Sequence, residues 1–114
     1  MGASANSGLQ FSNRAANMNG RLGGTIPMKF GIFYEHQLPR DWNIESEHQL
    51  LKQSLSQIEL ADELGFDYAW EVEHHFLEEY SHSSAPEVFL AAASQRTKNI
   101  RLGHGIVQMT TNHP

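Results

Sequence analysis

Six consecutive residues, Glu71-Val72-Glu73-His74-His75-Phe76, concentrate the groups best able to move protons. An imidazole titrates near neutrality, so it can take up a proton and return it at working pH. Two readings of the histidine pair stand open at this point: a proton-handling site, or a hydrogen-bonded pair that braces its surroundings. A metal centre fits less well. His74 and His75 are adjacent, so in an extended chain they point to opposite sides, and no HExxH run occurs. With no cysteine, the chain offers no thiolate nucleophile, disulfide or iron–sulfur ligand.

Other residues carry weaker signals. Tyr34, Glu35 and His36 close an earlier apolar run and are candidates for a substrate mouth, although solvated loop residues read the same way. Glu71 shares a face with Ala69 in an alternating run, an arrangement that would point it into a barrel interior as half of a structural ion pair. His104 lies inside a strand pattern and is read as a core hydrogen-bonding residue. Trp70 is read as core, and Ser81, Ser83 and Ser84 as serving a helix start. Gly103 and Gly105 mark a bulge or a close approach of another group to the backbone.

The elements that must position these residues follow from periodicity. Residues 29–34 form a short apolar and aromatic run with one glycine, which predicts a buried strand. Leu51, Leu55, Ile58, Ala61 and Leu64 recur at spacings of three and four, which predicts a helix over 45–64 with one apolar stripe. Gly65 suits the left-handed position after that helix, with Phe66 packing back on its last turn. Residues 67–72 alternate as a second strand. Ser84-Ala85-Pro86-Glu87 has a capping-box pattern with proline in the first turn, predicting a helix to about residue 97. Residues 100–108 read as a third strand. Strand, helix, strand, helix, strand at this spacing predicts two βαβ units and a parallel sheet, and in such sheets chemistry gathers where strands end and loops begin.

Two features of that sheet point to a larger whole. Three parallel strands leave two unpaired edges, and parallel sheets are normally covered on both faces. A (β/α)8 barrel takes roughly 250 residues, about three times the patterned segment 28–114. The expected architecture is α/β, a partial (β/α)8 TIM barrel of three parallel strands and two helices, ending after its third strand. Residues 1–27, rich in Ser, Ala, Asn and Gly without apolar periodicity, are expected to be a disordered tail, with Met28 as the expected physiological start.

The run Trp70-Glu71-Val72-Glu73-His74-His75-Phe76, preceded by Glu63-Leu64-Gly65-Phe66-Asp67, resembles the GFD…W…EHHF signature of the bacterial luciferase-like monooxygenases. The opening Met28-Lys29-Phe30-Gly31-Ile32-Phe33 resembles that family's start, and 102–107 through His113-Pro114 its third strand and following loop. The resemblance implies a flavin-dependent barrel enzyme using reduced FMN and O2 to oxygenate a small organic substrate. It also implies a separate flavin reductase and a homodimer, with a deazaflavin as the alternative cofactor. In this likeness His74 matches the active-site histidine, which handles protons beside the flavin, while His75 braces the loop. A non-prolyl cis peptide near the end of the third strand would fall at Gly105-Ile106, against the flavin ring.

Charge narrows the partners. Residues 1–27 hold two arginines and no acid, whereas the remainder carries six basic and all thirteen acidic residues. A domain of that sign is not drawn to phosphate backbones or anionic membranes. The longest apolar run, 88–93, falls far short of the roughly 20 residues that span a bilayer, and the start lacks a signal-peptide core. The expected setting is cytoplasmic, without nucleic acid, membrane or metal. A non-catalytic flavin-binding barrel and, further off, a metal-dependent barrel hydrolase are the rival readings.

Overall fold

Periodicity becomes structure in the order expected. A computed structural model describes residues 27–113, and the tail expected over residues 1–27 lies outside them except for Pro27. The chain forms β1 (Gly31–Tyr34), α1 (Ser46–Leu64), β2 (Tyr68–Glu71), α2 (Pro86–Ser94) and β3 (Arg101–His104). The strands form one sheet in the order β1-β2-β3, both pairs parallel. The register runs Tyr34↔Glu71↔His104 at the C-terminal ends, so the three strands finish level.

Alternation divides the sheet into two faces. On one, Tyr34, Ala69 and Ile100 join Ile58, Ala61, Phe89 and Ala93 of the helices in a single core, with Ile32, Leu51, Leu55, Phe66 and Leu102 packed against it. On the other, Phe33 and Trp70 remain 53% and 40% exposed, and Tyr68 stacks on Trp70 with ring centroids 5.7 Å apart. Trp70, expected in the core, lies on the sheet face opposite the helices, the face that a closed barrel turns inward, and is 40% exposed in this length of chain. Both helices pack on the opposite side, so the side chains paired with Ala69 are the ones that are covered.

The helix ends show which local signals held. Gly65 adopts φ 83°, and the Gly65 and Phe66 amides bond back to Asp62 and Ala61 at 3.2 and 2.9 Å. This is the left-handed stop expected of glycine. At the other end no N-cap side chain bonds the helix. Asn43 Oδ1 accepts the Glu45 amide instead (2.8 Å), and Ser46 Oγ accepts that of Asn43 (2.9 Å). The capping box expected for α2 does not form: Ala85 is its N-cap, without a side-chain bond, and Pro86 opens the first turn. That helix stops at Ser94, short of residue 97, although Thr97 Oγ1 still reaches the Ala93 carbonyl at 3.0 Å.

Candidate functional site

The level strand ends send three loops off the same edge of the sheet. Val72 N–H bonds Tyr34 O at 3.3 Å and Gly105 N–H bonds Glu71 O at 2.7 Å, so Glu35, Val72 and Gly105 leave it side by side. His74 is held from two directions. Its amide donates to Ser83 O (2.9 Å), and its ring meets Tyr80 edge-on at 5.6 Å. Its Nε2 lies 3.4 Å from Glu35 Oε2, with both side chains about four-fifths buried. The sequence candidates Glu35 and His74 are thus brought together across the β1 and β2 loops.

Tyr34 and His36 do not line a mouth. Both are buried at 7% and 4% exposure. Alternation turns them to the helix side, where Tyr34 Oη approaches Gln57 Oε1 (3.3 Å) and His36 meets the Phe89 ring edge-on at 4.7 Å. Burial and the nearby Glu71 charge push the Tyr34 phenol up to about 12. Glu71 itself points toward the helices and not into a barrel interior. Its Oε1 accepts Ser83 Oγ–H at 2.5 Å and lies 2.7 Å from His36 Nδ1. This buried trio ties the β1 loop, the end of β2 and the approach to α2 into one block. Ser83 thus secures a strand end, where the sequence suggested only a helix start.

Glu73 is the hub of the other side and carried no separate signal in the sequence reading. Its carboxylate pairs with His75 Nε2 (2.9 Å) and accepts the Gln108 amide (2.8 Å), Thr111 Oγ1–H (3.0 Å) and Asn112 Nδ2–H (3.2 Å). Its own carbonyl accepts Gln108 Nε2–H at 3.1 Å. The His75 bond first, then the Gln108 amide and the two side-chain donors, hold the carboxyl down to about 2. These bonds also shorten β3, expected to reach residue 108. Beyond His104 the chain leaves the ladder and wraps onto Glu73. The polar run after β3 was the available clue, since a cluster of side-chain and amide donors needs an acceptor.

His104, expected as a core residue, is exposed on the edge strand. The peptide expected in cis at Gly105-Ile106 is trans, as are all peptides of the described residues. Gly105 is instead a point of close approach: a Cβ there would lie 2.7 Å from Phe33 Cε2, just as one at Gly103 would meet the Trp70 ring at 2.7 Å. Ile106 follows, 41% exposed. Among the described residues no three His, Asp or Glu side chains are grouped to hold a metal ion, and no helix is long and apolar enough to cross a membrane.

A parallel βαβαβ unit with carboxylate–imidazole pairs at its C-terminal strand ends is the opening of a (β/α)8 barrel with a titratable mouth. The sequence profile of the luciferase-like monooxygenases matches residues 28–114, and the chain belongs to that family. It is 42% identical over 87 residues to limonene 1,2-monooxygenase of Rhodococcus erythropolis, covering 75% of this chain and 21% of that protein. Among solved structures, monooxygenase RslO1 from Streptomyces bottropensis superposes with a TM-score of 0.65 at 41% identity, covering 76% of this chain and 26% of that one. The oxygenating constituent of 3,6-diketocamphane monooxygenase from Pseudomonas putida, solved with FMN, shares the fold with a TM-score of 0.58 at 23% identity, over 68% and 20% of the two chains. The chain thus spans between a fifth and about a quarter of the length of these relatives.

Proposed function

We propose that this chain contributes the first three strands of a flavin-dependent monooxygenase, which uses reduced FMN and O2 to oxygenate a small organic substrate. A separate reductase supplies the reduced flavin, and the enzyme works as a cytoplasmic homodimer. One observation carries the reading: in a chain of the luciferase-like monooxygenase family, His74 lies beside Glu35 in the loops at the C-terminal strand ends, where barrel enzymes do their chemistry.

The residues present suit the ring end of a flavin. Phe33, Tyr68 and Trp70 offer an aromatic face, and the chain at Gly105 and Ile106 leaves the sheet beside it with no side chain at 105. We assign Gly105 and Ile106 to flavin contact through their backbone. Flavin, when bound, supplies the electrons that activate O2. The protein's own part is positional and protonic. His74 takes or returns a proton at the reacting centre, and the Glu73–His75 clamp keeps the third loop closed over the mouth.

The test uses a protein of the relatives' full length, given reduced FMN, O2 and a panel of small organic substrates. General acid–base groups contribute about 100-fold or more, so His74→Ala should lower product yield by at least that factor while leaving FMN affinity unchanged. Equal yield from the variant would remove His74 from the mechanism. Turnover with a reduced deazaflavin but not with FMN would transfer the reading to that cofactor.

A further inference from the structure

Glu35 occupies a place that the proton-handling role of His74 leaves unexplained. Its Oε2 is buried and makes no hydrogen bond among the described residues, and it lies 3.4 Å from His74 Nε2. A buried carboxylate oxygen without a donor is costly, and the imidazole is the group placed to relieve it. The separation exceeds an ordinary N–H···O bond. Such contacts in a ligand-free site are often long and tighten when the site fills.

The frame around the pair is stiff. Glu35 sits between two nine-tenths-buried residues: Tyr34, packed in the core, and His36, held by Glu71 at 2.7 Å and by Phe89. The His36 backbone takes φ 51°, a left-handed turn that ends the alternation, and its carbonyl accepts the His82 amide at 3.0 Å. With its neighbours fixed on the helix side, Glu35 is directed to the opposite side. His74 is pinned at its own amide by Ser83, the residue whose hydroxyl also bonds Glu71. One buried block therefore sets both partners, which is how rigid scaffolds hold a site geometry.

We propose that Glu35 is the positioning residue for His74: its carboxylate holds the Nε2–H of the imidazole and leaves Nδ1 as the nitrogen that meets the reacting ligand. The hydrogen bond at one ring nitrogen decides what the other can do. This assignment rests on the monooxygenase reading for its catalytic meaning, but not for its geometry.

The experiment compares Glu35→Ala, Glu35→Gln and His74→Ala in the full-length protein with two readouts. Proton NMR of protein carrying 15N-labelled histidine looks for an exchange-protected His74 Nε2–H. That signal is expected in the parent, kept in Glu35→Gln, whose amide oxygen still accepts, and lost in Glu35→Ala. Product yield should fall about tenfold in Glu35→Ala, an effect within the range of coupling between residues in contact, with no further loss when Glu35→Ala is added to His74→Ala. A protected signal that survives in Glu35→Ala, or is missing from the parent, overturns the assignment. So does an equal Glu35→Ala loss in the presence and absence of His74. If no reduced flavin gives product at all, the monooxygenase reading fails, and the ring-proton signal still decides the role of Glu35.

Discussion

At the scale of single residues, the site is organised by two carboxylates doing opposite work. Glu71 is buried with a hydroxyl and an imidazole and holds the floor, whereas Glu73 faces the third loop and gathers its donors. A carboxyl held down to about 2, below its ordinary value of 4.5, adds stability that is complete above about 4.5. That stability is lost as the pH falls through the folded value, so the window for loosening the third loop lies between about 4.5 and 2. Amide exchange at Gln108, corrected for its intrinsic pH dependence, should show full protection at pH 5 and lose it toward pH 2. In Glu73→Gln the protection at pH 5 should already be weak and no longer depend on pH across that window. Protection in the parent that stays flat down to pH 2 would mean that Glu73 does not hold the loop. The histidine pair itself was legible in the sequence as a proton-handling candidate. The pairing of His74 with Glu35 was not, because the two meet only when two loops 39 residues apart converge.

At the scale of elements, α1 shows why periodicity reads a helix well and its contacts less well. The stripe through Leu51, Leu55, Ile58 and Ala61 faces the core as expected, but Leu64 is 68% exposed and Asp62 is buried in the same turn. An acid on an apolar flank reads as an interruption of the pattern. Its reason lies far along the chain: Asp62 accepts the amides of Lys98, Asn99 and Ile100 at 2.7, 2.9 and 2.7 Å. Burial raises this carboxyl, and the three amides outweigh burial and leave it below its usual range. The α2–β3 turn is thereby bolted to the end of α1, which sets where β3 enters the sheet. The same non-local logic explains β3, whose apolar pattern runs on through Ile106 and Val107 while Glu73 draws the chain away after His104. Removing the acceptor takes the partner from three amides, that of buried Ile100 and those of the exposed residues Lys98 and Asn99. Asp62→Ala should therefore lower the unfolding free energy by about 2–4 kcal/mol, measured by urea denaturation. Asp62→Asn keeps the oxygen that serves Asn99 and Ile100 and should cost about 1–2 kcal/mol. Equal stability of all three proteins would show that the turn is held by something else.

At the scale of the whole molecule, charge and the open aromatic face determine what this length of chain can bind. The fold class was legible because each element carried its own period and stop signal, and because two βαβ units admit few arrangements. The two faces of the sheet were harder to assign, since Trp70 and Glu71 alternate in a run where either side could be the covered one. What covers a face depends on where the helices pack, and that is decided by the whole set of contacts. The resulting unit offers a flavin an aromatic face but little for its phosphate. In the sequence of the three mouth loops the sole Lys or Arg is Arg40, and it is bound by Glu78 and Glu79, each at 2.6 Å. Exposed pairs of this kind are weak, yet two acids on one guanidinium leave it no net attraction for a dianion. The segment after residue 27 also carries seven more acids than bases, so its field repels a phosphate. The 114-residue chain should therefore bind FMN no more tightly than about 0.1 mM, which corresponds to roughly 5.5 kcal/mol, whereas a protein of the relatives' length should bind it far more tightly. Quenching of flavin fluorescence measures both. If the larger protein binds lumiflavin, which lacks the phosphate, nearly as well as FMN, the ring face alone carries the affinity. Micromolar FMN binding by the 114-residue chain, with lumiflavin bound much more weakly, would instead move the phosphate site into these three loops.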